Sequence, residues 1–335
     1  AAMEALEGDI SIVSRNDADT VWYFLINRSD RSPEFLRWDR IKREAGPLFV
    51  TRPKLESYTL ASMTPIAYPA RDGLKIHGYL TTPAGRAAKN LPLIVLVHGG
   101  PWVRDRWGFH PEAQWLASLG FAALQINYRG SSGYGKRHLH AGDREWGAKM
   151  QDDLTDGVNW AVSQGIADPA RVAIYGGSYG GDAALAGAAV TPGGYRCAVD
   201  VVGPSNLITL IKSIPPYWEP MKRVFDLRVG SVDTEEDFLK SRSPLFFIDK
   251  IDIPLLVAQG ANDPRVKQAE AEQIVAALRA KGKPVEYLLY PAEGHGFAKP
   301  GNRLDFYAKA EAFLARHLCV KSLDSGANPG PYSGT

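Results

Sequence analysis

From about residue 91 onward, apolar positions fall in short unbroken blocks, separated by stretches where they recur every three or four residues. "LPLIVLV" (91–97) is apolar throughout, as a strand covered on both faces must be. "HPEAQWLASLG" follows and predicts a helix ended by Gly120. "FAALQINY" is the next strand, and Met150, Leu154, Val158 and Ala161 then keep helical spacing up to Gly165. "RVAIYG", "CAVDVVG", "PLLVAQG" and "VEYLLYP" are further short strands, with a helix over 267–281 between the last two. Asn302 and Asp305 are placed to cap a final helix through residue 317. Such alternation predicts an α/β fold: a mainly parallel sheet with helices on both faces.

Two regions break the pattern. Residues 203–250, with the proline- and aromatic-rich "SIPPYWEPMKRVF", read as a helical insertion above the sheet, an ordinary long crossover being the alternative. Residues 1–62 read as a short antiparallel β segment. Its strands are "ISIVSR", "TVWYFLINR" and "EFLRWDR", joined by the turn-forming "NDAD" and "NRSDRSP". "RDGLKIHGYLTTPAG" then opens the larger unit, with Leu74, Ile76 and Leu80 alternating with polar or small positions. The expected organisation is a β segment over 1–62 and an α/β unit over 63–318. A Gly/Ser/Pro-rich tail over 319–335 is expected to be disordered.

Composition narrows the function classes. With 335 residues there is ample chain for a large core. A net charge of +2, with basic residues dispersed, gives no field suited to nucleic acid or an anionic membrane, so neither is expected as a partner. The longest apolar runs are far shorter than the ~20 residues a spanning helix needs. The opening "AAMEALEGD" lacks a basic stretch followed by an apolar one, so a cytoplasmic location is expected. Cys197 and Cys319 form no CxxC pair and no HExxH occurs, so no metal and no cofactor is expected. The two thiols are read as buried, a single bridge between them being the alternative.

The chemistry gathers at "RVAIYGGSYGGDAALAG" (171–187). Gly176-Gly177-Ser178-Tyr179-Gly180 fits G-x-S-x-G between a predicted strand and a predicted helix, the context of a nucleophile elbow. There the backbone is strained and its neighbours pack too closely for side chains. A serine hydroxyl needs a base, and the base needs a group to fix its tautomer. Of the histidines after Ser178, His317 falls in the last turn of a helix, where the dipole explains it. His295 lies in a glycine-flanked loop directly after "VEYLLY", which suits the base. Asp263 follows the buried strand "PLLVAQG" at its carboxyl end, where catalysis gathers in parallel sheets. Asp249 and Asp252 precede that strand and fall at the opposite edge. Donors for an oxyanion are expected from the N–H of Tyr179 and from the "VHGGP" loop, where Gly99 and Gly100 allow unusual backbone angles. Pro101 has no N–H to offer, and His98 is read as a packing or hydrogen-bonding residue.

Taken together, "RDGLKIHGYL", "VHGGP", "NYRGSSGYG", "GGSYGG", "GANDPRV" and "EGHGF" resemble the catalytic domain of the prolyl oligopeptidase family, in its acylaminoacyl-peptidase-like branch. The resemblance runs in family order over residues 65–317. It implies an α/β-hydrolase fold, a triad of Ser178, Asp263 and His295, and the N–H groups of Gly100 and Tyr179 as oxyanion hole. It further implies that Arg265 holds a substrate carbonyl and that Val266 lines the specificity pocket. Tyr217 and Trp218 lie where relatives place pocket aromatics. Two departures stand out. Relatives usually carry a β-propeller before this domain, and residues 1–62 look like the end of its last blade. Asp182 stands where an aromatic is more usual; a carboxylate there suits the helix dipole but adds negative charge near the oxyanion.

The expected activity is a serine peptidase cleaving oligopeptides through an acyl-enzyme. The rival readings are a carboxylesterase acting on small esters with the same machinery, and an inactive hydrolase fold serving as a binding module. A surface left bare where a propeller docks would favour a homo-oligomer.

Overall fold

A computed structural model describes residues 7–319. Its strands are β1 (Asp9–Arg15), β2 (Val21–Asn27), β3 (Glu34–Asp39), β4 (Glu44–Val50), β5 (Met63–Pro69), β6 (Lys75–Thr81), β7 (Leu91–Val97), β8 (Ala122–Asn127), β9 (Ala167–Gly177), β10 (Cys197–Val201), β11 (Leu255–Gly260) and β12 (Val285–Tyr290). Its α-helices are α1 (Pro111–Ser118), α2 (Lys136–His140), α3 (Lys149–Ser163), α4 (Tyr179–Val190), α5 (Leu207–Lys212), α6 (Lys222–Arg228), α7 (Glu236–Lys240), α8 (Gln268–Ala280) and α9 (Pro300–Leu318).

The larger sheet has eight strands in the order β12-β11-β10-β9-β7-β8-β6-β5. β7 through β12 pair in parallel, while β5 and β6 add an antiparallel edge. β7 shows why its sequence is apolar throughout. Leu93, Val95 and Val97 join a core with Met150 and Leu154 of α3, Leu185 of α4 and Ile274 of α8. Ile94 and Leu96 point the other way, to Leu116 of α1 and Phe313 and Leu314 of α9. Helices therefore cover both faces, and cutting a fully buried leucine such as Leu93 to alanine costs about 2–5 kcal/mol. This is the α/β-hydrolase architecture expected from the sequence.

β1 to β4 form a separate antiparallel meander. Three of its strands follow the expected pattern, with Phe24 and Ile26 buried from β2. β4 and β5 were not foreseen. Gly46 and Pro47 break the β4 pattern and its residues are mostly exposed; an edge strand tolerates proline because one side makes no ladder bonds. The meander is tied to the larger unit by Gln114 of α1. Its amide donates to the carbonyls of Ser29 and Ala61 and accepts from the Ala61 N–H.

Two local expectations are corrected. α9 starts at Pro300, whose fixed φ suits the first helical position, so Asn302 and Asp305 lie inside the helix rather than capping it. Asn302 donates to Glu293, and Asp305 accepts from Tyr290 and Lys309. Cys197 is buried but Cys319 is exposed, and both are free thiols. Residues 203–250 are helical, with α5 to α7 and 3-10 turns at Pro216–Met221 and Pro244–Lys250. The tail expected to be disordered lies, after Cys319, outside the described residues.

Candidate active site

Ser178 sits between β9 and α4 with φ 59° and ψ −121°, a left-handed conformation that costs a non-glycine residue strain. The turn is tight because its flanks nearly touch. A Cβ on Gly176 would fall 2.3 Å from the Gly180 carbonyl oxygen, and one on Gly180 would fall 2.1 Å from that of Val97. Both obstacles are backbone, so neither can move aside. Ser178 is latched from the other side by its N–H, which donates to Val201 of β10 at 2.8 Å.

The loops after β11 and β12 bring the other two side chains to the same end of the sheet. His295 Nε2 is 3.0 Å from Ser178 Oγ, and His295 Nδ1 is 2.7 Å from Asp263 Oδ2. With the proton on Nδ1, the imidazole donates to the carboxylate and accepts from the serine. The Asp263 side chain is fully buried. Its Oδ1 accepts from the N–H groups of Arg265 and Val266 at 2.8 and 3.0 Å, which locks the carboxylate's rotamer. Asp249 and Asp252 lie at the other end of β11, paired with Lys281 and Lys283.

The "VHGGP" loop packs on the serine: a Cβ on Gly99 would lie 3.3 Å from that of Ser178. Neither the Gly100 nor the Tyr179 N–H has a protein acceptor among the described residues. His98 braces this loop. Its Nδ1 is 2.8 Å from the Gly99 carbonyl and its Nε2 is 3.1 Å from Ser131 Oγ, while Tyr128 donates to the His98 carbonyl at 2.9 Å. Desolvation pulls the His98 pKa down to about 4, outweighing the Gly99 carbonyl, so its ring is neutral at physiological pH.

Of the remaining sequence candidates, Arg265, Trp218 and Tyr217 come together, whereas Val266 and Asp182 are buried. Arg265 is exposed, with its guanidinium 5.3 Å from the centre of the Trp218 ring. Tyr217 stands edge-on to Trp218 and is largely exposed. Val266 is buried in the core beneath Asp263. Asp182 takes the first-turn position in α4 that suits the helix dipole, but it is fully buried.

Sequence reasoning passed over Glu293, two residues before His295. It is buried, and its carboxylate accepts from the N–H groups of Ala298 and Lys299 at 2.9 Å and from Asn302 at 2.7 Å. It thus ties the loop carrying His295 to the start of α9. A charged residue beside His295 was the available signal. A cavity of about 170 Å³ lies behind the same loop, touching Gly177 and Gly296. A larger groove of about 1420 Å³ runs past Pro92, Gly120 and Arg171, at the opposite edge of the sheet from Ser178.

Residues 107–321 match the profile of the Prolyl oligopeptidase family. The chain is 46% identical to dipeptidyl aminopeptidase BIII of Pseudoxanthomonas mexicana, over 95% of this chain and 48% of the relative. It is 42% identical to dipeptidyl peptidase family member 6 of Caenorhabditis elegans, over 98% of this chain and 47% of the relative. Among solved structures, a puromycin-hydrolyzing peptidase of Mycobacterium tuberculosis superposes with a TM-score of 0.80 at 28% identity, over 90% of this chain and 46% of that one. The chain spans about half the length of the curated relatives it matches.

Proposed function

The chain belongs to the prolyl oligopeptidase family, and from that premise we propose that it is a serine peptidase hydrolysing peptide bonds through an acyl-enzyme. The observation that carries this reading is the unbroken hydrogen-bonded chain from Ser178 through His295 to Asp263. Ser178 Oγ attacks the scissile carbonyl as its proton passes to His295 Nε2. Asp263 holds Nδ1–H and stabilises the imidazolium that forms. The N–H groups of Gly100 and Tyr179 receive the developing oxyanion, each contributing roughly 3–4 kcal/mol of transition-state stabilisation. His295 then protonates the leaving amine, and water, deprotonated by the same ring, releases the acyl group. In this reading Arg265 and Trp218 meet the substrate near its carbonyls, with Val266 and Tyr217 at the pocket wall.

The two dipeptidyl peptidases among the relatives support release of dipeptides from a free amino terminus as the specific reaction. The free thiols Cys197 and Cys319 support a reducing, cytoplasmic setting. Exposed Ile12, Ile41 and Phe49 on the small sheet and its turns support self-association.

The test combines a fluorophosphonate probe with dipeptidyl anilides, N-blocked peptidyl anilides and a nitrophenyl ester. Labelling that is lost in Ser178→Ala, with anilide turnover, is the expected result. Ester turnover without amide cleavage would replace the peptidase by an esterase, and a folded protein that takes no label would leave only a binding role.

A further inference from the structure

Asp182 lies in the first turns of α4, four residues after Ser178, and none of it reaches solvent. Neither carboxylate oxygen has a hydrogen-bond donor among the described residues. On the adjoining strand β10, Asp200 is also buried; its Oδ1 accepts from the Gly203 N–H at 2.8 Å, and its Oδ2 has no partner. Helix and strand meet here almost backbone to backbone. A Cβ on Gly181 would fall 2.2 Å from Asp200 Oδ1, and one on Gly203 would fall 2.7 Å from the Asp182 nitrogen.

The titratable neighbours offer Asp182 no counter-charge. Asp200 faces it from β10 and Glu270 from α8. Tyr179 of α4 and Tyr128 after β8 lie close enough to feel its charge. On α3, Asp153 is paired with Arg129. β7 has no titratable residue on this side, and Tyr175 of β9 belongs to the core on the other face of the sheet. Asp249 and Lys250 of the 3-10 turn are exposed, Asp249 pairing with Lys281. An ionised carboxylate without donor or cation is among the costliest groups a fold can bury, and two side by side cannot both ionise. Burial foremost, then the charges of Asp200 and Glu270, pushes the Asp182 pKa well above the ordinary carboxylate range.

This acid is coupled to the nucleophile through backbone. The Asp182 N–H donates to the Ser178 carbonyl at 3.1 Å, and the Ser178 N–H donates to Val201, the residue after Asp200, at 2.8 Å. We propose that Asp182 is a positioning residue for Ser178: buried without a donor in the first turn of α4 beside Asp200, it leaves Ser178 in line only while it is uncharged. Its ionisation at alkaline pH drives the first turn of α4 and β10 apart and moves Ser178 and the Tyr179 N–H out of line. The inference deepens the serine-peptidase reading and rests on it.

The rate of fluorophosphonate labelling, followed from neutral to alkaline pH in the full chain, tests the role. The probe carries no titrating group, and a histidine base stays deprotonated as pH rises, so neither produces an alkaline loss. The wild type is expected to fall at least about tenfold below its own neutral plateau. Asp182→Asn, which cannot ionise, is expected to hold its plateau, and Asp182→Leu serves as second variant. An alkaline loss equal in wild type and both variants overturns the proposal. Independently of any variant, infrared spectra of wild type carrying 13C-carboxyl aspartate should show a protonated acid band that disappears in step with the labelling loss. A band absent from the pH range where labelling falls also overturns it. No labelling at any pH, with that band present, strikes the serine reading instead and takes the positioning role with it.

Discussion

Asp263 holds His295 with one carboxylate oxygen and its own loop with the other. Oδ2 stands 2.7 Å from Nδ1, while Oδ1 takes the N–H groups of Arg265 and Val266. Each bond depends on the other, because the loop contacts stop the carboxylate rotating away from the ring. Asp263→Asn preserves the shape but presents an amide that can favour the wrong imidazole tautomer. The expected outcome is a fall in kcat of about 10⁴-fold with KM little changed. Steady-state kinetics on the best amide substrate checks this; a loss below about tenfold would mean that something else orients His295.

Replacing His98 tests the bracing of the "VHGGP" loop that is proposed to bind the oxyanion. His98→Phe keeps a ring against Tyr128, which now stacks on it at 4.4 Å between centroids, but gives up the bonds to Gly99 and Ser131. Gly100 then loses its fixed orientation. An expected drop of about tenfold to a hundredfold should appear in kcat rather than KM, since the oxyanion exists only near the transition state.

Gly180→Ala probes the closeness of the elbow. In an ordinary helix that change stabilises by about 0.5–1 kcal/mol. Here the new methyl meets the Val97 carbonyl at 2.1 Å, so a net destabilisation above about 2 kcal/mol is expected, together with loss of labelling at Ser178. Gly301→Ala in α9, where a Cβ meets nothing within 4 Å, is the control and should stabilise. Denaturant midpoints of the two variants, read side by side, decide the matter.

A pH-dependent stability is expected from Asp105. It is buried near Gln125, whose amide favours the charge slightly without making a hydrogen bond of normal geometry. Burial, aided by Glu112, raises the Asp105 pKa to about 7 against 3.8 in the unfolded chain. The folded state therefore keeps a proton that the unfolded state gives up, and stability drains away as pH rises from about 4 to about 7. Full linkage amounts to about 4 kcal/mol as an upper bound. Asp105→Asn should match the wild type near pH ~4 and exceed it above pH ~7. Thermal melts across that range would contradict the account if the two curves stayed parallel.

The order of strands and helices from residue 91 was legible in the sequence because a strand covered on both faces must be apolar at every position. Gly176, Gly180 and Gly181 beside Ser178 were legible too, since a side chain at any of them would strike a neighbour at the elbow. β4 and β5 escaped notice because edge strands need neither a continuous apolar run nor freedom from proline. Pro300 outweighed Asn302 and Asp305 as a helix start because it constrains the backbone directly, whereas a cap only rewards it. Glu293 looked like an ordinary charged residue along the chain, and Asp182 stood out only as a charge where an aromatic is more usual. Packing decided their opposite fates: Glu293 found three donors on its own loop and α9, while Asp182 met the acids Asp200 and Glu270 and no donor among the described residues. Local pattern therefore determined the elements and the ends of the sheet from which Ser178, Asp263 and His295 emerge. Tertiary packing decided the distances between them and the protonation of what lies beneath, because hydrogen bonds act over ångströms and the charge of a buried acid depends on every group around it.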